Sequence, residues 1–315
     1  MIKKATADQT AEIKDIFSIC FPNEDTRYLD YFFKNVYQPE NCYVNITDGK
    51  IVSTLIRNPH AVMFNDRVLQ ASMIMGVATL PEYQRKGHMQ ELMEVVLDAC
   101  EHSELLTLIQ SESPVIYEPF GFRTIYQRTD VRLERKDVKR ITNFGCAYEP
   151  TPIDLLKVYS VFIRRFNGFY ARDLEYFVNY KKEIIAEGGK IVAYYNGKDQ
   201  IRGYAVMIPQ GNELCVEEIV YLDSMSLMKL CNAALQERRV IHLHVSEAEN
   251  LQKLFPEAKT KTYGSTMVRL NDAQLFSRLF NKRVTTVEEA FAISQRPLNM
   301  NEFSKKTEKR GKHTH

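Results

Sequence analysis

Between Gly76 and Val96 the chain reads GVATLPEYQRKGHMQELMEVV. A short apolar strand runs into Pro81, passes through Gln84-Arg85-Lys86-Gly87-His88-Met89, and enters a helical pattern at once. From Met89 on, Leu92, Met93, Val96, Leu97 and Cys100 form one apolar stripe at helical spacing, with Glu91, Glu94 and Asp98 off it. The backbone N–H groups of a helix's first turn have no intrahelical partner, and with the helix dipole they favour an anion. Gly87 has no Cβ, so the main chain can approach a bulky diphosphate closely. Arg85 and Lys86 add positive charge. Taken alone, this junction also reads as an ordinary helix start with a solvated basic turn.

Working outward, the first forty residues predict two helices. Ile13, Ile16 and Phe17 recur at helical spacing, as do Leu29, Phe32 and Phe33. The charged break FPNEDTR (Phe21 to Arg27) separates them. CYVNI, the turn TDGK and IVSTLI read as a hairpin, because Asp48-Gly49 lies between apolar runs. VLQASMIMGVATL is a second long strand. After the helix come a buried strand (LLTLIQ), a short helix ending in a glycine turn (SPVIYEPFGF), and a strand (TIYQRTDVRL). The polar ERKDVKR, residues 134–140, reads as a linker.

The second half repeats the order. KIVAYY, a turn and IRGYAVMI form a hairpin. NELCVEEIVYL is a strand, SMSLMKLCNAAL a helix, VIHLHV a strand, AENLQKLF a short helix and TYGSTMVRL a strand. A duplicated unit of about 130 residues is a normal domain size. The expected organisation is α+β: a first mixed-sheet domain over 1–135, a second over 146–270, and a short segment over 271–315. That segment carries one amphipathic stretch, AQLFSRLF, and ends in the basic KKTEKRGKHTH, expected to be disordered. The second copy has Ser224-Met225-Ser226 where the first has the basic loop, so the first is the expected working copy.

The 42 basic residues nearly balance 40 acidic ones, which argues against a dedicated nucleic-acid binder. The six cysteines are scattered with no C-x-x-C pair, the pattern of reduced buried thiols. The start MIKKATADQT lacks a signal-peptide core, and no apolar run approaches the ~18 residues of a membrane span. A soluble, cytoplasmic protein that contacts no membrane is expected.

The strand GVATL, Pro81, the loop Gln84-x-x-Gly87-x-Met89 and the downstream Tyr117-Glu118-Pro119-Phe120-Gly121-Phe122 together resemble the GNAT superfamily of N-acetyltransferases. That family reads V-x-x-x-P-x-x-[QR]-x-x-G-x-[GA] at its acetyl-CoA loop, with a Tyr before an F-G-F or L-G-F turn. Met89 departs from the family's Gly or Ala. A larger residue there resembles the Eis-like (enhanced intracellular survival) branch, which has tandem GNAT-like domains with only the first active. The chain is similar to that branch through about residue 270, and the remainder is too short for the branch's whole sterol-carrier-like domain.

The resemblance implies direct transfer of acetyl from acetyl-CoA, as cosubstrate, to a primary amine on a small molecule or a lysine. It places the pyrophosphate on the loop Gln84, Arg85, Lys86, Gly87, His88 and Met89, and the pantetheine arm along Val77, Ala78 and Thr79. An N–H near Val77 would polarise the thioester, and Tyr117 would be the general acid. The general base is not transferable from the branch. Glu24 and Asp25 lie in the loop that faces the acceptor and are candidates to attract a cationic amine; solvated loop charge is their plainer reading. A non-catalytic CoA-binding or regulatory protein is the alternative function. A tRNA-dependent peptidoglycan transferase would not need the intact QRKG.

His242 and His244 alternate on a strand and share a face, but metal binding needs further ligands, so no metal is expected. His88 reads as a solvent-side or adenine-side neighbour. The Met-rich Met73 to Met75 reads as core, with an adaptable acceptor pocket as the alternative. A homo-oligomer is compatible with the branch.

Overall fold

The computed structural model describes residues 1–111 and 113–300. The basic 305–315, expected to be disordered, lies outside them. The chain divides into two compact units. Unit 1 comprises Met1–Ile125 and Ser265–Ser294; unit 2 comprises Tyr126–Gly264 and, within the described residues, 295–300.

Unit 1 begins with β1 (Ile2–Lys4), α1 (Thr10–Cys20), α2 (Thr26–Asn35), β2 (Cys42–Thr47), β3 (Lys50–Phe64) and β4 (Arg67–Thr79). It continues through α3 (His88–Glu101) and β5 (Leu106–Ile109). The Asp48-Gly49 turn forms as read, with both residues at positive φ (51° and 78°). A second such turn, Asn65-Asp66 at φ 45° and 62°, joins β3 to β4. The sequence pattern does not mark it, because β3 continues to Phe64, well past the apolar run IVSTLI.

The sheet buries two clusters. In one, Ile13, Ile16 and Phe17 of α1 and Leu29 and Phe32 of α2 pack with Val44, Ile51 and Ile56. In the other, the stripe Leu92, Met93, Val96, Leu97 and Cys100 of α3 packs with Leu55, Ile74 and Ile109.

Unit 2 holds β6 (Arg123–Glu134, from its fourth residue), β7 (Cys146–Tyr148), α4 (Pro152–Phe162), β8 (Phe169–Tyr170) and α5 (Leu174–Ala186). Next come β9 (Lys190–Tyr195), β10 (Ile201–Gln210), β11 (Glu213–Tyr221), α6 (Ser224–Glu237) and β12 (Val240–Ser246). The helices α4 and α5 precede the β9–β10 hairpin, as α1 and α2 precede the β2–β3 hairpin in unit 1.

Each half of the chain ends in a strand that joins the other half's sheet. β6 runs antiparallel to β12 from Glu134↔Val240 to Arg128↔Ser246. β13 (Lys259–Leu270) runs antiparallel to β5 from Met267↔Ile109 to Leu270↔Leu106. The expected domain limits of 1–135 and 146–270 therefore differ from the units. A strand's N–H and C=O groups must be paired, and the ladder that pairs residues 128–134 lies in unit 2.

Three further expectations change. The linker 134–140 is anchored, since Val138 is buried in the unit 2 core. SPVIYEPFGF forms two 3-10 turns, Pro114–Ile116 and Glu118–Phe120, because each proline starts a turn and withholds a donor. AENLQKLF yields only the 3-10 turn Leu251–Lys253. In the C-terminal segment, α7 (Ala273–Phe280) coincides with AQLFSRLF and is followed by α8 (Val287–Ala292). Phe276, Phe280 and Phe291 close around Phe64 of β3, with ring centroids 5.9, 5.5 and 5.1 Å away.

Unit 2 buries an ion pair. Arg172 Nη1 donates to Glu218 Oε1 at 2.7 Å, and Tyr180 and Tyr204 donate to Glu218 Oε2 at 3.1 and 2.9 Å. The guanidinium faces the rings of Tyr159 and Tyr176 at 4.7 and 4.6 Å. Removing one partner leaves an uncompensated buried charge. Glu218→Ala is expected to lower unfolding free energy by about 3–5 kcal/mol in urea titration, whereas replacing both Arg172 and Glu218 with leucine costs less.

Candidate active site

The site starts from a defect in β4. Its register with β3 runs Ser53↔Thr79 and Thr54↔Ala78, then slips to Ile56↔Met75. Gly76 and Val77 fall in the slip, a β-bulge. Gly76 has φ +57°, and a Cβ there would lie 2.3 Å from Phe17 Cζ. Both the left-handed backbone and the ring of Phe17 require glycine. On its other edge β4 pairs in parallel with β5, from Ala71↔Leu106 to Ile74↔Ile109, and no further. Beyond Ile74 the two strands part, so Val77, Ala78 and Thr79 line the open side of β4.

Side chains hold the carbonyls of this segment on the β3 side. Thr54 Oγ1 donates to Gly76 O at 3.1 Å and Ser53 Oγ to Ala78 O at 2.7 Å. Gln84 Nε2 donates to Thr79 O at 3.1 Å, and Cys20 Sγ lies 3.5 Å from the same oxygen. Burial raises the pKa of the Cys20 thiol, which makes it a poor nucleophile.

After Pro81 the chain makes a tight loop with Arg85 at φ +60° and Gly87 at φ +88°. Gly87 is the N-cap of α3 and supplies no capping side chain. Among the described residues, the amides of Arg85, Lys86, Gly87, His88, Met89 and Gln90 donate to no protein acceptor. No atom lies within 4 Å of a Cβ built on Gly87. Uncapped amides, a helix N-terminus and open space make an anion-binding turn.

Three loop residues differ from expectation. The Gln84 amide is already bonded to Pro81 O at 3.3 Å, so this residue braces the loop. Lys86 curls back, its Nζ 2.8 Å from Glu82 O and 5.1 Å from the centre of the Tyr83 ring. His88 turns inward and is only 14% exposed. Its Nδ1 lies 3.3 Å from Nδ2 of buried Asn45, which donates to Glu91 Oε2 at 2.7 Å. The imidazole thus ties the first turn of α3 to β2, and only its amide faces the loop. Asn45 carried no sequence signal, because its partners come from a distant helix.

Met89 packs against the same cluster that holds Tyr117, Phe122, Ile74 and Ile109. That contact gives a large apolar side chain a place at this position. Tyr117 is buried, 6.3 Å edge-to-face from Phe122, and Gly121 closes its turn at φ +87°. It therefore shares a core with the last residue pair before the strands part. Asp25 is committed elsewhere: it caps α2 by accepting from Arg27 N at 2.8 Å and pairs with the Arg27 guanidinium at 2.7 Å. Glu24, half-buried just before the cap, donates its amide to Phe21 O at 3.1 Å.

Unit 2 repeats the geometry without the opening. The β10–β11 register slips between Val206↔Glu218 and Met207↔Val216, and β11 pairs with β12 only as far as Val216↔Leu243. Here the Arg128 guanidinium bridges the two strands, with Nη2 donating to Glu217 O and, at 2.7 Å, to His244 O. The N-terminus of α6 is capped by the Asp223 carboxylate, which accepts from Ser226 N at 2.8 Å. A negative cap both fills that amide and repels a phosphate.

The fold brings Cys215 and Glu217 to His244, with ligand-type atoms within 4.8 Å of one another. Arg128 Nη1 is 3.8 Å from Glu217 Oε2 and supplies the positive charge in this cluster. His242 lies apart, between Asp130 at 3.0 Å and Glu213 at 3.1 Å.

Residues 1–125 match the acetyltransferase (GNAT) domain family. No curated protein matches the sequence. Among solved structures, a conserved Enterococcus faecalis protein of unknown function, described as a "probable N-acyltransferase", superposes with TM-score 0.74 at 18% identity. The match covers 86% of this chain and 72% of that one. A GCN5-related N-acetyltransferase from Kribbella flavida gives 0.69 at 15% identity over 86% and 70%. Eis1 from Mycobacterium abscessus gives 0.67 at 14% over 88% and 75%. At such identities the shared property is the fold, that of tandem GNAT-like domains. The family match itself spans the first 125 residues, so the part of the chain that it identifies as a GNAT acetyltransferase domain lies in unit 1. No helix among the described residues is long and apolar enough to cross a membrane.

Because open space surrounds Gly87, Gly87→Glu is expected to fold with a stability loss of about 1 kcal/mol from the left-handed backbone. It should abolish acetyl-CoA binding in isothermal titration. For His242, the hydrogen bond to Asp130 raises the imidazole pKa, against desolvation, with Glu213 adding to the rise. That stabilisation is full below the ordinary histidine value of about 6.5 and is lost as pH rises through the raised folded value. His242→Gln should therefore lower the melting temperature more at pH 6 than at pH 8.5.

Proposed function

We propose that this chain is an Eis-like N-acetyltransferase that moves the acetyl group of acetyl-CoA directly to a primary amine, with unit 1 as the working unit. The observation that carries the reading is the row of unbonded amides from Arg85 to Gln90, set beside a strand edge that its neighbour has left. In this reading the loop amides bind the pyrophosphate, and Val77, Ala78 and Thr79 pair with the pantetheine arm as an added strand. The Val77 N–H points at the thioester carbonyl. Attack by the amine turns that carbonyl into an oxyanion, which a fixed donor stabilises. Collapse expels the thiolate, which takes the phenol proton of Tyr117, and the surplus proton on the newly acylated nitrogen leaves to solvent or to that phenolate, restoring the phenol.

Unit 2 is scaffold in this account, since Arg128 fills its gap and Asp223 caps its helix. The acceptor is a small-molecule amine or a lysine. Asp25 caps α2 and pairs with Arg27, and Glu24 beside it in the loop is proposed to draw in a cationic amine. The commitment of Asp25 also favours a second reading, a CoA-binding protein without turnover.

Thiol release from acetyl-CoA with a panel of polyamines, aminoglycosides and lysine peptides separates the two. Binding without release on any of them overturns the transferase. Tyr117→Phe should cut kcat by about 100-fold or more while acetyl-CoA affinity holds; undiminished turnover removes Tyr117 as the acid.

A further inference from the structure

At a bulge the ladder cannot fix the peptide planes, because the extra residue has no partner across the strand pair. Gly76 and Val77 are in that position, outside the register with β3 and beyond the last pair with β5. Some other group must set how the Gly76–Val77 peptide is turned. That group is Thr54. Its side chain is fully buried, and its hydroxyl donates to Gly76 O at 3.1 Å. Phe17 and Ile56, whose atoms come to 2.3 and 3.2 Å of the Cβ position of Gly76, close the space into which the peptide would otherwise rotate.

The carbonyl and the N–H of a trans peptide point in opposite directions across one plane. With Gly76 O held toward Thr54 on β3, the Val77 N–H is turned away from β3, toward the side that β5 has vacated. Neighbouring Ser53 does the same to the next peptide but one, through Ala78 O at 2.7 Å, and adds a contact to the Thr79 hydroxyl at 2.8 Å.

We propose that Thr54 is a positioning residue for acyl transfer: its hydroxyl, acting through Gly76 O, aims the Val77 amide at the acyl carbonyl. The inference rests on the acetyl-CoA reading of unit 1. Thr54 touches no reacting atom. Its effect is to keep the donor preorganised, so that no reorientation is needed as charge develops on the oxygen.

The test reads the carbonyl itself. Acetyl-CoA labelled with carbon-13 at the thioester carbonyl is bound to the full-length protein, and difference infrared spectroscopy records its stretch. In wild type the stretch should fall to lower frequency than in free acetyl-CoA. Thr54→Val, nearly isosteric but without the hydroxyl, should lose that downshift while its dissociation constant stays within about twofold. Thr54→Ser should restore it. On any acceptor that wild type acetylates, kcat for Thr54→Val should fall about tenfold or more, part of the 10²–10³ that a lost oxyanion donor costs.

If Thr54→Val does not fold, as judged by circular dichroism, Thr54→Ala serves in its place. A variant whose carbonyl absorbs where wild type's does overturns the proposal, as does a wild-type complex with no downshift. Absence of thiol release from wild type would instead sink the transferase reading and leave the carbonyl shift to decide Thr54.

Discussion

The ring of Phe17, lying where a side chain on Gly76 would stand, is the constraint on which the rest of unit 1 depends. It admits only glycine, and glycine accepts the left-handed backbone that bulges β4. The bulge turns the end of β4 out of step with β3. The same strand has by then parted from β5, leaving main chain exposed along one edge. The proposed cofactor binding rests on that exposed edge and on the turn that continues it. Buried hydroxyls of Ser53 and Thr54 take over the bonds that the broken ladder no longer makes, so the opening is lined with satisfied carbonyls on one side and available amides on the other.

The two units share this backbone defect and differ in what fills it. Unit 2 has the slip at Glu217, the parted strands and the helix that follows, yet the gap is bridged by the Arg128 guanidinium and the helix start is capped by Asp223. A single cation with several donors can satisfy the stranded carbonyls that a ligand would otherwise meet. The comparison shows how a duplicated fold can keep its architecture while losing the space that the architecture creates. In the same unit the Arg128 guanidinium lies beside Glu217, in the cluster that also holds Cys215 and His244.

Much of the site was legible in the linear sequence because its parts are local. The strand, Pro81, the glycine N-cap and the amphipathic stripe of α3 lie within twenty-odd consecutive residues, and each has a periodicity or a backbone demand of its own. Side-chain direction was not legible. Arg85, Lys86 and His88 read alike as loop residues, but Lys86 folds back on Tyr83 and His88 turns into the Asn45 network. Asp25, read as an acceptor-facing charge, is an N-cap. An aspartate directly before a helical run is a favoured N-cap, because its carboxylate accepts from an unpaired first-turn amide.

The sequence by itself determined the alternation of strands and helices, the duplication, and the turn at Gly87, because hydrophobic period and glycine conformation are properties of neighbouring residues. Only the tertiary structure decided which sheet receives the final strand of each half, since β6 and β13 have the same pattern and either sheet could satisfy their backbone groups. It alone decided, too, that Arg128 closes one gap while the other stays open. Those outcomes depend on contacts between residues up to about 160 positions apart, such as Leu106 with Leu270, and no local pattern encodes them.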